Sequence, residues 1–374
     1  MKKRILINIH YLEIGGAETS LIGLLHFLKP ADYDVDLFIN DPRGELMDFI
    51  PSWVNIIPAP YSYSMIERPL MEVIRRGYFK VAIGRLKAKY QFRKYCKVKK
   101  PSDGNAIFGY VGHYVTPKLP SLNYLGEYDA AISYVTPHNI VRDKIKAQKK
   151  IAWIHTDYSK IDTDAELELP VWSSFDKIVS ISPSVTETFL SVFPSLGDKI
   201  IEVENFLPVE MIKKRAEELI PEDMPDEIGV TKLLTIGRYC EAKRIDEIPV
   251  IVKHLQYERL NFKWYIIGYG NPLELEKIKK RIKANNVEDR VVLLGKKENP
   301  YPYIKTCDIY IQPSRFEGKS ITVREAQLLG KTVIITDYPT ARSQVRDVID
   351  GFIGPYETEA FSLYLKDFLP EPKI

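Results

Sequence analysis

The sequence is poor in cysteine, and its histidines are scattered. Three cysteines, Cys96, Cys240 and Cys307, occur in 374 residues; they are far apart and odd in number. This argues against a disulfide framework and favours a reducing cytosol. The six histidines form no pattern with cysteine that is typical of a zinc site. We therefore expect a cytoplasmic protein with no bound metal and no other cofactor.

Long apolar runs are also missing. No stretch reaches the roughly 18 to 20 consecutive apolar residues that span a bilayer. Residues 1–16 begin with positive charge, as a signal peptide does, but their apolar run is short, alternates with polar residues and lacks a small-residue cleavage site. We interpret this segment as the first strand. A chain of 374 residues, 45% of them hydrophobic, is larger than one compact core usually organises, so two domains are predicted.

Strand and helix patterns alternate at both ends of the chain, which is typical of βαβ units and a parallel sheet. The predicted strands are 4–11, 34–40, 128–135, 149–157, 175–183, 232–239, 262–270, 290–295, 307–314 and 331–337. The predicted helices are 17–28, 247–255, 272–286 and 322–329. Residues 208–230 are polar and acidic and contain three prolines, so we expect a linker there. The domains would be two tandem Rossmann-like folds, 1–207 and 231–374.

Ligands of open α/β sheets bind at the carboxyl ends of the strands, so the strand-to-helix turns are the candidate site. Gly15 and Gly16 would let a backbone approach an anion, although such turns also need glycine for conformation alone. His155 ends a strand and could donate to a substrate oxygen or exchange a proton; a structural histidine is the alternative. Arg238 and Lys243, after Gly237, could hold a diphosphate or form a solvated surface pair.

Two further patterns favour structural roles. Residues 268–273, GYGNPL, have Leu273 where a dinucleotide fingerprint needs its third glycine, so a tight turn is the better interpretation. Residues 162–164, DTD, resemble a metal-binding D-x-D motif, but they lead into AELELP. Acids are favoured near helix N-termini, so we expect this segment to start a helix.

Residues 314–330, SRFEGKSITVREAQLLG, contain two carboxylates separated by seven residues, Glu317 and Glu325. Thr322 to Glu325 matches a capping box, in which Glu325 would accept from the Thr322 N–H. Gly330 is suited to the helix C-terminus. The cap explains Glu325 without a ligand, but it does not explain Glu317. Acids near a helix N-terminus can accept from sugar hydroxyls, and the N–H groups of residues 319–322 could meet a phosphate.

These segments together resemble a known family. FEGKSITVREAQLLGKTVIIT is similar to the E-x(7)-E segment of the retaining glycosyltransferases of family 4. Supporting segments follow the family order: GGAE, IHTD, SISPSV, VENF, IGRYCEAKR, IIGYGN and DVIDGFIGP. The resemblance implies a GT-B fold, in which two Rossmann-like doubly wound parallel-sheet domains face each other across a cleft. It also implies metal-independent transfer of a hexose-type sugar from a UDP- or GDP-sugar, with retention of configuration.

The resemblance assigns the donor-binding residues. Arg238 and Lys243, with Gly237 beside them, would bind the donor diphosphate, and Glu325 would bond the nucleotide ribose. The turn formed by Gly318, Lys319, Ser320 and Ile321 would lie against the donor through its backbone. Gly16 would approach the phosphates across the cleft.

Two residues would act on the sugar. Glu317 would approach the donor sugar, and His155 would contact it near the reacting centre. The family commonly has an aromatic and a small residue after EG, whereas this chain has Lys319 and Ser320, so the resemblance does not fix the donor. The family also continues into a further helix, so we expect a truncated or an unusually short member.

The acceptor class is inferred from the family and from charge. In GT-B enzymes the N-terminal domain holds the acceptor, which here would be a glycan or a polyprenyl-diphosphate-linked saccharide of the cell envelope or capsule. From Arg75 to Lys100 there are eleven Lys or Arg and no acid, with aromatic residues interleaved. We hypothesise that this segment lies on an anionic membrane at the inner face of the cytoplasmic membrane; a solvated face is the alternative. No nucleic-acid-binding motif accompanies the charge.

Two other functions compete with transfer. A nucleotide-sugar 2-epimerase shares the fold but uses an acid and histidine constellation that we do not find in the sequence. A non-catalytic glycan- or nucleotide-binding relative is the second, and the intact Glu317, Glu325, Arg238 and Lys243 argue against it.

Overall fold

A computed structural model describes residues 2–256 and 260–369. The chain divides into two compact units, Met1–Pro208 (unit 1) and Val209–Ile374 (unit 2). In the described residues each unit contains one parallel sheet, with seven strands in unit 1 and six in unit 2. Parallel strands need crossover connections, and here most of these contain helices.

Unit 1 is a Rossmann-like sheet flanked by helices. Its strands are β1 Lys3–Ile9, β2 Tyr33–Ile39, β3 Asn55–Ile57, β4 Glu127–Ser133, β5 Lys146–Ile154, β6 Lys177–Ser180 and β7 Ile200–Glu202. Its helices are α1 Gly16–Phe27, α2 Leu70–Arg75, α3 Phe79–Lys99, α4 Ile107–Val115, α5 Asn139–Lys144, α6 Ala165–Ser173 and α7 Pro183–Val192. The strand order is β3-β2-β1-β4-β5-β6-β7. Strands β2 and β3 lie on one side of β1, and β4 to β7 lie on the other side. This reversal of strand order creates a switch point beside the carboxyl end of β1.

Unit 2 repeats this plan. Its strands are β8 Thr231–Ile236, β9 Phe262–Ile267, β10 Val291–Gly295, β11 Ile309–Gln312, β12 Thr332–Thr336 and β13 Phe352–Gly354. Its helices are α8 Val209–Ala216, α9 Ile248–Gln256, α10 Pro272–Ala284, α11 Tyr301–Thr306, α12 Ile321–Leu328, α13 Ala341–Gln344 and α14 Thr358–Lys366. The strand order, β10-β9-β8-β11-β12-β13, places the switch point between β8 and β11.

The central strands are buried on both faces, as their apolar runs predict. Every residue of β8 is buried, and so are the last five residues of β1. In unit 2 the buried side chains of β8, β9, α9 and α14 form one continuous apolar core around Trp264 and Phe361. This packing fixes the positions of the loops that follow the strands.

All ten predicted strands and all four predicted helices are present, with shifted ends. The prediction 175–183 ran too far: β6 ends at Ser180, because the Ser182 hydroxyl accepts from the Val185 N–H and caps α7. The short strands β3, β7 and β13 were missed, because three residues are too few to show a pattern of apolar and polar residues. Residues 208–230, predicted as a linker, include α8, whose Met211 and Ile212 are buried.

No helix within residues 2–256 and 260–369 is both long and apolar enough to span a bilayer.

Candidate active site

The loops after β8 and β11 bring a cation and a carboxylate together in unit 2. Lys243 Nζ donates to Glu317 Oε1 at 2.5 Å, and the Glu317 side chain is only 9% exposed. These two strands are neighbours in the sheet, so the loops after their carboxyl ends meet at the switch point. The structure thus joins two residues that the sequence placed separately.

A chain of hydrogen bonds leads from the sheet interior to Glu317. The Tyr310 hydroxyl donates to Gln312 Oε1 at 2.7 Å, and Gln312 Nε2 donates to Ser314 Oγ at 3.0 Å. Ser314 Oγ then donates to Glu317 Oε1 at 2.6 Å. Glu317 therefore accepts from both a hydroxyl and an ammonium.

Glycines allow the strand-end loops of unit 2 to pack closely. A Cβ on Gly268 would lie 2.0 Å from the carbonyl oxygen of Gly237, and one on Gly237 would lie 3.2 Å from Lys243 Cγ. The φ angle of Gly268 is not positive. The sequence predicted that this glycine serves a tight turn. The structure shows instead that position 268 requires glycine because two loops approach each other closely there.

Arg315 holds the two loops in register. Its N–H donates to the Ala242 carbonyl at 2.8 Å, and its guanidinium donates to the Glu241 carbonyl at 2.7 Å and to Asp246 Oδ1 at 3.1 Å. Asp246 is buried, and the bond from Arg315 helps to hold the pKa of its carboxyl below the usual range against the opposing effect of burial. This ion pair anchors the segment that carries Lys243 to the segment that carries Glu317.

Helix α12 begins two residues earlier than the capping box requires. Its N-cap is Ser320, whose side chain makes no capping bond, and its first residue is Ile321. The N-terminus is instead fixed by Gln344: the Ser320 N–H donates to Gln344 Oε1 at 3.1 Å, and Gln344 Nε2 donates to the Ser320 carbonyl. The predicted capping box is therefore wrong, because Thr322 already lies inside the helix. Gly330 does follow the helix in the left-handed region, at φ 70, as predicted.

Glu325 lies in a buried polar cluster. It is 4% exposed, and its Oε1 accepts from the Tyr301 hydroxyl at 3.1 Å. Burial raises the pKa of Glu325 to about 7, and the nearby Arg215 opposes this rise. The Arg215 guanidinium lies 5.7 Å from the Tyr301 ring centre. Glu325 therefore stands near its titration midpoint at neutral pH.

The other predicted donor-binding residues of unit 2 lie around this pair. Arg238 is exposed two residues after β8, and no described residue makes an ion pair with it. Gly318 and Lys319 occupy the loop between Glu317 and α12, half-buried. All of these residues are at the carboxyl edge of the unit 2 sheet.

His155 lines a cavity at the equivalent edge of unit 1. The cavity has a volume of about 270 Å³, and among its lining residues are His10, Glu18, Thr136 and Glu168. His10 directly follows β1, and His155 directly follows β5, so the carboxyl ends of the strands surround this space. Gly16 is exposed at the start of α1, the helix that follows β1.

The imidazole of His155 is neutral at ordinary pH. Burial lowers the pKa of His155 to about 3, and its Nε2 atom is buried with no hydrogen-bond partner among the described residues. Its ring stacks on Trp153, with an interplanar angle of 6°. A buried ring nitrogen without a hydrogen-bond partner destabilises the folded protein, unless a ligand supplies that hydrogen bond.

Several site residues were missed in the sequence. Asn40 Nδ2 lies 2.9 Å from His10 Nδ1, and His10 Nε2 lies 3.2 Å from the Thr136 carbonyl oxygen. His10 could have been found by the strand-end rule used for His155. Glu168 has no such signal; it is buried and accepts from Thr163 Oγ1 and Trp172 Nε1. Burial raises the pKa of Glu168.

The D-x-D segment has the structural role that its surroundings predicted. Asp164 is the N-cap of α6, and its Oδ1 accepts from the Leu167 N–H at 3.3 Å. Asp162 accepts from the Ser102 hydroxyl. Within the described ranges no group of three or more His, Cys, Asp or Glu side chains is arranged to hold a metal ion.

Most of unit 2 is similar to a known family of glycosyltransferases. Residues 220–374, which lie within unit 2, match the family described as Glycosyl transferases group 1. Over 173 residues the chain is 27% identical to the O-antigen biosynthesis glycosyltransferase WclY of Escherichia coli, covering 45% of each chain. Over 144 residues it is 29% identical to N-acetylgalactosamine-N,N'-diacetylbacillosaminyl-diphospho-undecaprenol 4-alpha-N-acetylgalactosaminyltransferase of Campylobacter jejuni, covering 38% of each chain. The chain thus spans less than half the length of these curated relatives.

Solved structures confirm that the fold is GT-B. The structure of HepE from Anabaena in complex with UDP and glucose matches 98% of this chain and 89% of its own, with a TM-score of 0.65 and 12% identity. A glycosyltransferase from Rickettsia africae matches 98% of this chain and 88% of its own, with a TM-score of 0.61 and 16% identity. The Rossmann-like units described above are therefore the two domains of a GT-B protein.

Proposed function

We propose that this chain is a retaining glycosyltransferase of family 4. It would transfer a hexose-type sugar from a UDP- or GDP-sugar to a glycan or polyprenyl-diphosphate-linked acceptor in capsular, exopolysaccharide or other cell-envelope synthesis. The carrying observation is the Lys243–Glu317 pair at the switch point of unit 2, inside the segment that matches the group 1 glycosyl transferases. The names of the Escherichia coli and Campylobacter jejuni relatives support the pathway and acceptor classes.

The charges of unit 2 suit a nucleoside diphosphate leaving group. Arg238 and Lys243 would meet the diphosphate oxygens, and preorganised cations of this kind stabilise charge that develops in a transition state. Glu317 would accept from the sugar hydroxyls, and Glu325 would accept from the ribose. We propose that these cations, rather than a bound metal, balance the leaving group.

Transfer would proceed by same-face attack. The bond between the anomeric carbon and the diphosphate oxygen breaks, and the acceptor oxygen forms its bond to that carbon from the same side. The acceptor hydroxyl proton passes to the leaving diphosphate. His155, neutral at physiological pH, would donate a hydrogen bond to the sugar rather than carry a charge.

A screen for donor binding tests the proposal. UDP, GDP and a panel of their sugars should raise the melting temperature of the protein, since a ligand that binds the folded state stabilises it. Lys243→Ala and Glu325→Ala should weaken this effect, and unchanged affinity in calorimetry would contradict the donor site. With a bound donor and an acceptor, the product anomer should match that of the donor. A nucleotide sugar converted to its 2-epimer, or bound without transfer or hydrolysis, would favour one of the competing functions.

A further inference from the structure

Helix α3 carries four large, exposed side chains, three of them apolar and one a tyrosine. Phe79, Ile83, Leu86 and Tyr90 are between 51% and 61% exposed. Their spacing, i, i+4, i+7 and i+11, places them in one stripe along the helix. The stripe covers three turns, and Met71 on the neighbouring α2 is 61% exposed as well.

The opposite side of α3 is already buried. Its buried residues are Val81, Ala82, Gly84 and Ala88, and the helix packs against α4. A Cβ on Gly84 would lie 2.8 Å from the Tyr114 carbonyl oxygen, so the two helices are in close contact. The helix cannot rotate to bury the stripe without losing this contact. The stripe is therefore a second apolar face and not a misplaced part of the core.

Cations border the stripe on both sides. At 100° per residue, Lys80, Lys87 and Lys94 lie along one edge, and Lys89 and Arg93 lie along the other. None of the five forms an ion pair with another described residue. An apolar stripe between rows of Lys and Arg is the pattern of a helix that lies in the interface of an anionic bilayer.

We propose that this face of α3 binds the surface of an anionic membrane, with the stripe entering the acyl boundary and the flanking cations meeting lipid phosphates. Ile83 and Leu86 distinguish this partner from nucleic acid, because aliphatic side chains neither stack on bases nor pair with phosphates. A second copy of the chain would bring two rows of like charge together, which disfavours self-association through this face. The proposal does not rest on the proposed function, since membrane binding would stand even if the chain transferred no sugar.

Flotation with vesicles tests the inference. The protein should float with vesicles of equal parts phosphatidylglycerol and phosphatidylcholine at low salt, but not with phosphatidylcholine alone. The double variant Ile83→Gln/Leu86→Gln should lower the affinity roughly tenfold or more, because it removes the buried apolar area and keeps every charge. The variant Lys87→Gln/Lys94→Gln should lower it about fivefold per cation and flatten the dependence on salt.

Matched controls separate the stripe from general changes. Leu273→Gln/Leu363→Gln makes the same chemical change at two exposed leucines of α10 and α14 and should leave vesicle binding unchanged. Circular dichroism and donor binding should be the same in all variants. No flotation at low salt, or equal loss in the control variant, overturns the proposal. Binding to an oligonucleotide that equals vesicle binding and ignores Ile83→Gln/Leu86→Gln would assign the surface to polyanions, and dimers lost in that variant would assign it to self-association.

Discussion

The ammonium of Lys243 and the carboxylate of Glu317 are 2.5 Å apart, although 74 residues separate them in the chain. This pair neutralises a cation that the proposed donor needs. The donor diphosphate would therefore share Lys243 with Glu317, and the two residues would respond to donor binding together.

Replacement of Lys243 should weaken the binding of nucleoside diphosphates. Hydrogen bonds to charged groups contribute about 1.5–3 kcal/mol, so Lys243→Ala should raise the Kd for UDP or GDP roughly 10- to 100-fold in calorimetry. Lys279→Ala is a suitable control, because Lys279 is exposed on α10 and pairs only with a neighbouring glutamate, Glu276, in the described structure. Equal affinities for the wild type and Lys243→Ala would remove Lys243 from the donor site.

The stability of the protein should fall as the pH rises through the titration range of Glu325. Its pKa is about 7 in the folded state against an ordinary value of 4.5. Between these values the unfolded chain loses a proton that the folded protein keeps, so unfolding becomes more favourable with rising pH. The contribution of this group amounts to about 3 kcal/mol across the window and is constant above it.

Glu325→Gln should remove this dependence. Urea unfolding at about pH 5 and about pH 8 should show that the variant gains stability relative to wild type at the higher pH. A neutral amide keeps the acceptor for Tyr301, so the comparison isolates the charge. A difference between variant and wild type that is the same at both pH values would show that Glu325 is ionised throughout.

Two glycine substitutions should have different effects. Gly268→Ala places its Cβ against a backbone carbonyl and should destabilise unit 2 by about 1–3 kcal/mol. In Gly237→Ala the nearest neighbour of the new Cβ is the flexible Lys243 side chain, so the change should displace Lys243 and lower donor affinity with little change in melting temperature. Gly197→Ala has open space around the new Cβ and is the control for both. A stable Gly268→Ala protein would mean that the loops after β8 and β9 separate easily.

The pH profile of transfer should contain no titration of His155. Because the pKa of His155 lies near 3, the imidazole is neutral from about pH 5 to about pH 8. His155→Gln should lower kcat without changing the shape of the profile in this range. If the profile has a limb near pH 7 that arises from Glu325, that limb should be absent in Glu325→Gln. An acidic limb near pH 6.5 that disappears only in His155→Gln would mean that His155 titrates normally.

The positions of strands could be predicted better than the partners of side chains. Lys243 and Glu317 each follow a predicted strand, but only the strand order of the structure, in which β8 and β11 are neighbours, shows that they approach each other. Glu325 and Tyr301 meet through the packing of α11 against α12, which no local pattern records. The letters of the capping box were correct, but its register was not, because Gln344 on a distant helix fixes where α12 begins. Likewise, the positive charge of α3 could be predicted from the sequence. Its two apolar faces could be distinguished only in the structure, where α4 packs against one of them.

The position of α8 sets a limit on dividing the protein. This helix precedes the unit 2 sheet in the chain and starts before the family match at residue 220, yet its Arg215 is buried beside Tyr301. It also donates to the Glu298 carbonyl at 2.9 Å. A fragment that begins at residue 220 or 231 would lack α8, so Tyr301 and Glu325 would lose their neighbour Arg215. An isolated unit 2 must therefore begin at or before Val209 if Glu325 is to keep its native protonation.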